Sequence, residues 1–209
     1  MDSVLEILVV DDNSPDGTGN WVEAESKKNS RVHLLKRKGK EGLGRAYLAG
    51  FAWALKHEFD WICEMDADFS HRPEDLLRLL QNRDKADFLI GSRYIQGGST
   101  LNWGILRKII SRGGSFYTQL LLGFGRIQDW TGGFNLWNRK VLESISLENV
   151  FSEGYSFQIE LKYRGLCKGF KQLEVPILFE DRRVGKSKMS FRIVVEAFYK
   201  VWLIRFRIH

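Results

Sequence analysis

Two carboxylates one residue apart, Asp66 and Asp68, close an apolar stretch running from Trp61 to Met65. On an extended chain alternate residues share a side, so the pair presents its oxygens together. Mg²⁺ is commonly held by one or two carboxylates plus substrate phosphates, and bridging a nucleotide diphosphate is chemistry this spacing allows. The plainer alternative is an exposed polar turn. A position at the carboxyl end of a predicted strand favours the ligand reading, because open α/β sheets bind ligands there. Asp11 and Asp12 follow the first apolar run in the same way. A carboxylate there can accept hydrogen bonds from a ribose or base, although an ordinary Asx turn is the simpler reading.

Other motifs exclude more than they suggest. Gly17-Thr18-Gly19 and Gly42-Leu43-Gly44 lack the third glycine of a dinucleotide fingerprint, having Val22 and Tyr47 in its place. Gly185-Lys186-Ser187 resembles the end of a P-loop, but Glu180 stands where that loop needs its first glycine. Arg182 and Lys188 flank a glycine in a basic stretch that either closes over phosphates or forms a solvated loop. His71 follows the acidic turn, with a site role and a surface role both open. Cys63 and Cys167 lack metal or redox spacing and read as reduced thiols of a cytoplasmic protein.

The elements that position these residues alternate. Strands are expected at Leu5 to Val10, Val32 to Leu35, Trp61 to Met65 and Phe88 to Gly91. Helices are expected to about Lys28, from Gly42 to about His57, and from Pro73, which suits a first helical turn. That alternation predicts an α/β layered fold with a mainly parallel central sheet. Further on, Trp103 to Leu122 and Tyr155 to Cys167 read as helices. Thr131 to Trp137 reads as an edge strand, Phe170 to Phe179 as one strand, and Met189 onward as a final helix. No linker divides the 209 residues, so a single domain is expected. No signal peptide or spanning segment is expected either, since charges interrupt every apolar run. The net charge of +6 is uneven: residues 182–209 hold eight Lys/Arg and one acid (+7), against 24 basic and 25 acidic residues (−1) in the other 181. Such a cluster suits an anionic partner or a solvated face.

Taken together the motifs resemble the dolichol-phosphate mannose synthases. The resemblance lies in Val9 to Thr18, Gly42-Leu43-Gly44, Met65 to His71, Gly91-Ser92-Arg93-Tyr94, Arg107 to Gly114, Thr131-Gly132-Gly133-Phe134, Glu153 to Gln158, and Asp181 to Met189. It covers essentially the whole chain, in the family's order, and is nearest the bacterial polyprenol monophosphomannose synthases without transmembrane helices. It implies an inverting family 2 glycosyltransferase with the nucleotide-diphospho-sugar (GT-A, Rossmann-like) fold. The implied reaction moves mannose from GDP-mannose to a polyprenyl phosphate. Carried over by residue, Val10 and Asp12 contact the nucleoside and Ala67 the nucleotide. Asp66 and Asp68 hold Mg²⁺ or Mn²⁺. Arg93, Arg182 and Lys188 bind donor or acceptor phosphates, Arg107 lies near the acceptor phosphate, and Asp129 near the sugar. One departure stands out: the family's first strand, ending Pro-Thr-Tyr-Asn-Glu, has no counterpart, so an interior strand and part of the base pocket are expected to be missing.

A polyprenyl monophosphate, with a second pKa of about 6, is already mostly ionised and can attack the anomeric carbon without a general base. The protein is left with positioning and charge neutralisation. The acceptor lives in a bilayer. Phe191 to Ile208 has a wide apolar face with Arg192, Glu196 and Lys200 along one stripe, which suits either an interfacial helix, peripheral at the membrane, or a core-packing terminal helix. Alternatives are a related transferase using another sugar such as glucose, or a non-catalytic nucleotide-sugar-binding remnant. Nucleic acid is not an expected partner, since it leaves Asp12, Asp66 and Asp68 without a task.

Overall fold

The computed structural model describes residues 5–125, 127–181 and 191–208, the stretch 191–197 by backbone alone. The chain gathers into two compact units, Met1–Glu58 and Phe59–His209.

In the first unit, strand β1 (Ile7–Asp11) pairs in parallel with β2 (Val32–Lys36), Ile7 opposite Val32 and Asp11 opposite Lys36. Helices α1 (Thr18–Ser26) and α2 (Leu43–Lys56) follow the two strands. Sterics explain the glycine opening α1. A Cβ on Gly19 would sit 2.6 Å from the buried Asp11 carboxylate, so only glycine lets the helix start against the strand end.

The second unit holds β3 (Trp61–Glu64), α3 (Pro73–Gln81), β4 (Phe88–Ser92), β5 (Ser99–Leu101), α4 (Ile105–Leu122), β6 (Asn135–Asn138), α5 (Arg139–Ser144), α6 (Tyr155–Cys167), β7 (Gln172–Pro176), β8 (Leu178–Glu180) and α7 (Phe191–Arg207). Its main sheet has the order β3-β6-β4-β7, and β5 and β8 form a parallel pair. Parallel pairing holds for β1–β2, β4–β7 and β5–β8, as the α/β alternation predicts. β4 is buried along its whole length, the pattern of a strand covered on both faces. Phe88 stacks on Trp137 at 4.9 Å, and Leu79 of α3 joins Leu89, Phe134, Leu136, Val175 and Ile177 in one core cluster. Fully burying a side chain of this size contributes about 1.5–3 kcal/mol.

Two expectations need correction. The segment read as an edge strand is interior: β6 lies between β3 and β4, antiparallel to both, and 131–134 is the loop leading into it. The strand read across Phe170 to Phe179 is two. β7 ends at Pro176, which has no N–H to continue a ladder, and the chain then pairs β8 with β5. β1 and β3 are each the end strand of their own sheet among the described residues. The terminal helix has a buried side and an exposed apolar side. Val201, Ile204 and Ile208 are buried, while Phe198, Trp202 and Phe206 are 44–63% exposed. No described helix is long and apolar enough to cross a membrane.

Candidate active site

The turn after β3 carries Asp66, Ala67 and Asp68. Both carboxylates are half-buried. The turn is held from within. Asp68 accepts from the Ser70 amide at 3.1 Å and its hydroxyl at 2.5 Å, while the Asp66 amide donates to His71 Nδ1 at 3.2 Å. Phe69 takes φ 63° to complete the bend. His71 is buried, stacked on Phe134 at 4.9 Å and edge-on to Phe179 at 5.1 Å. Burial lowers its pKa below 6.5, with Arg93 adding to the effect and Asp66, Asp68 and Asp129 opposing it. His71 is therefore packed under the acidic turn and not on the surface.

Arg93 follows β4 directly, and Asp129 lies 36 residues further along the chain. The two form a buried bidentate pair: Nε donates to Oδ2 at 2.7 Å and Nη2 to Oδ1 at 2.6 Å, while the Arg93 amide also reaches Oδ2 at 3.0 Å. Nη2 donates as well to Thr131 Oγ1, and the Gly132 amide to Asp129 Oδ1. Burial would raise the Asp129 pKa, but Arg93, with Lys162, holds it below the usual carboxylate range. Both carboxylate oxygens are thus occupied by donors, three from Arg93 and one from Gly132.

Trp103, read from the sequence only as the start of a helix, packs against both arginines. The Arg107 guanidinium lies 4.0 Å from its ring centroid and that of Arg93 5.3 Å, so one indole serves both arginines. Arg107 Nη1 also donates to Asp181 at 2.6 Å. The buried Trp103 Nε1 and Arg107 Nε have no acceptor among the described residues.

Beneath the turn and the arginines lies a second unforeseen group. Glu64, two residues before Asp66, accepts from Asn135 Nδ2 (2.6 Å), Trp137 Nε1 (3.1 Å) and Gln158 Nε2 (3.0 Å). Burial pushes its pKa up to about 7 against those hydrogen bonds. Lys162 of α6 is fully buried too. The one signal for these residues was position: Gln158 and Lys162 lie four apart on a single face of the predicted helix.

The remaining expected residues are placed separately. In the first unit, Val10 is in β1 and Asp12 just beyond it, where Arg37 Nη1 donates to Asp12 at 2.6 Å. Arg182 and Lys188 lie outside the described residues. No group of three or more His, Cys, Asp or Glu that could hold a metal occurs among the described residues. What the turn offers is the two carboxylates Asp66 and Asp68. That donor set fits a hard cation that takes its other ligands from phosphate oxygens and water.

The model of Glycosyl transferase family 2 matches residues 2–146. Undecaprenyl-phosphate mannosyltransferase of Micrococcus luteus is 45% identical over 94% of this chain and 80% of its own. Polyprenol monophosphomannose synthase of Mycolicibacterium smegmatis is 48% identical over 98% of this chain and 78% of its own. Among solved structures, glucosyl-3-phosphoglycerate synthase from Mycobacterium tuberculosis with phosphoglyceric acid superposes with a TM-score of 0.66 at 16% identity, over 95% of this chain and 68% of that one. The same enzyme with Mn²⁺, uridine-diphosphate and glucosyl-3-phosphoglycerate gives 0.65 at 17%, over 98% and 70%. At that identity the likeness establishes the fold, the GT-A layered α/β architecture. The chain belongs to glycosyl transferase family 2, a glycosyltransferase that stands with the polyprenyl-phosphate mannose synthases.

Proposed function

We propose that this protein transfers mannose from GDP-mannose to a polyprenyl (dolichyl-type) monophosphate, inverting the anomeric centre. The observation that carries the reading is identity of 45–48% along nearly the whole chain to two proteins named for polyprenyl-phosphate mannosyl transfer.

The site's chemistry supports direct attack by the lipid phosphate. That nucleophile arrives ionised. Asp129, the best challenger for a general base, has its carboxylate taken up by Arg93 and Gly132. Arg107, stacked on Trp103, receives the acceptor phosphate together with Arg93, and their charge offsets its repulsion from the donor's diphosphate. Arg182 and Lys188 bind the donor phosphates, Val10 and Asp12 the nucleoside, and Ala67 the nucleotide. Asp66 and Asp68 hold Mg²⁺ or Mn²⁺, which when bound supplies charge neutralisation at the diphosphate leaving group.

The lipid acceptor places the enzyme at a membrane, and the exposed apolar face of α4 and α7 supports peripheral attachment there, on the cytoplasmic side. Ile105, Ile109, Phe116 and Leu120 of α4 are 62–79% exposed. α7 lies against that helix, with Tyr117 stacked on Phe198 at 4.0 Å. Lys108, Arg112, Lys200 and Arg205 add positive charge to the same two helices.

Incubation with GDP-mannose, polyprenyl phosphate and Mg²⁺ or Mn²⁺ should give a mannolipid in the organic phase, and UDP-glucose in place of GDP-mannose should give far less lipid-linked sugar. Equal or greater transfer from UDP-glucose would move the reading to glucose.

A further inference from the structure

The loop that carries Asp129 is held by two opposite charges from two different elements. On one side, the amides of Gln128 and Asp129 donate to the Glu174 carboxylate of β7, at 2.9 and 2.8 Å. On the other, the carbonyls of Asp129, Trp130 and Gly132 accept from Lys162 Nζ of α6, at 3.1, 3.1 and 2.9 Å. The anion takes the donors of the segment and the cation takes its acceptors. An ammonium has three N–H groups, and all three are used here on backbone oxygens.

Lys162 has no solvent exposure, and burial pulls its pKa down to about 8 even though Asp129 and Glu64 support its charge. A buried ammonium is costly, and an apolar side chain of the same length would pack there without that cost. What an apolar side chain cannot do is let three carbonyl dipoles converge. Their oxygens repel one another unless a cation or donor sits at the focus. The convergence has a product. It curls residues 129–132 so that the Asp129 carboxylate and the Thr131 hydroxyl face the Arg93 guanidinium side by side, at 2.6–2.9 Å from its nitrogens. The Gly132 carbonyl is held also by Asn135 Nδ2 at 3.2 Å, and that amide reaches Glu64 at the end of β3.

We infer that Lys162 is a positioning residue: its ammonium acts as an internal cation that gathers the carbonyls of Asp129, Trp130 and Gly132, and the resulting curl aims Arg93. The consequence for catalysis rests on the proposed reading of Arg93 as a ligand of the acceptor phosphate. The positional claim does not.

The test uses the whole chain with Lys162→Met, which keeps length and removes every donor, and Lys162→Gln, which keeps an N–H donor without charge. The first readout is the ¹⁵N–¹H resonance of Arg93 Nε, slow to exchange because of its bond to Asp129. It should be lost or broadened in Lys162→Met and kept in part in Lys162→Gln. The second is transfer from GDP-mannose. The KM for polyprenyl phosphate should rise about 10- to 100-fold in Lys162→Met, the scale of a misplaced binding group, with the KM for donor little changed. Leu142→Ala, a cavity in the buried face of α5, serves as a control for plain destabilisation. It should lower the melting temperature while leaving the Arg93 resonance and acceptor KM in place. A folded Lys162→Met with the Arg93 resonance unchanged overturns the inference, whatever the wild type transfers. If Lys162→Met does not fold, the same result in Lys162→Gln together with unchanged acceptor KM does so. A wild type that moves no mannose overturns the functional reading instead, and the resonance still decides the role of Lys162.

Discussion

Replacing Asp129 by Asn removes one charge from the most buried ion pair among the described residues while keeping the side chain's shape. The Arg93 and Asp129 side chains are 6% and 0% exposed, so solvent screening gives little relief. An amide offers one oxygen in place of two. Its NH₂ group must then face either the Arg93 guanidinium or the Gly132 amide, donor against donor. Removing one partner of a buried pair costs about 3–5 kcal/mol, because the other charge is left uncompensated. For a chain of this size each kcal/mol shifts Tm by about 2–4 °C, so the variant should melt roughly 6–20 °C lower. pH supplies a second handle. The folded Asp129 pKa lies below its ordinary 3.8, so the unfolded chain binds more protons between those two values. Stability from this pair therefore rises with pH across that window, is fully present above about pH 4, and is lost as pH falls through the folded pKa. Thermal melts from pH 3 to 7 should show a smaller acid loss in the variant than in the wild type. A variant with wild-type Tm, an unchanged acid limb and full turnover would refute the assignment of Asp129 as the anchor of Arg93.

Other consequences are equally specific. Asp68→Ala should abolish transfer and remove the Mg²⁺- or Mn²⁺-dependent part of nucleotide binding, measured by calorimetry with and without EDTA; undiminished turnover would take the cation off this turn. A Cβ on Gly98 would lie 2.5 Å from the Ser92 carbonyl oxygen and 3.0 Å from the Arg93 carbonyl carbon, so Gly98→Ala should cost about 1–3 kcal/mol in denaturant melts and slow transfer by moving Arg93. Ile109→Glu with Leu120→Glu on α4 should weaken co-sedimentation with anionic vesicles by roughly 100-fold or more, since burying each apolar side chain is worth about 1.5–3 kcal/mol, and the folded variant should keep its nucleotide affinity. Unchanged vesicle binding would leave membrane attachment to other residues.

The strands and their acidic ends were legible because an apolar run stopped by carboxylates has a local cause. β1 and β3 end within one residue of their expected limits, and α6 spans its expected residues. The second tier of the site was not legible, for the opposite reason. Gln158, Glu160 and Lys162 alternate along α6 and look like a solvated pattern, yet all are buried, because their partners lie far away in sequence. Gln158 meets Glu64 94 residues away, and Lys162 meets Asp129 33 residues away. The same effect hid the true place of β6. Asn135 lies in the segment read as an edge strand, but in the structure its amide is used on Glu64, Gln158 and Gly132 in the interior. Arg93 and Asp129 were each marked as site residues from the family resemblance, and only the fold shows that they are a pair.

The most direct measurement is the structure of the lipid product made from GDP-mannose, whose sugar is α-linked to its diphosphate. Product isolated from a reaction with Mg²⁺ or Mn²⁺ should be analysed by ¹³C and ³¹P NMR for its linkage and anomeric configuration. Attack by the lipid phosphate opposite the leaving group predicts mannose joined through C1 to that phosphate in the β configuration, and none formed when the cation is chelated. An α-linked product, or mannose attached anywhere other than the phosphate, would contradict direct inverting transfer.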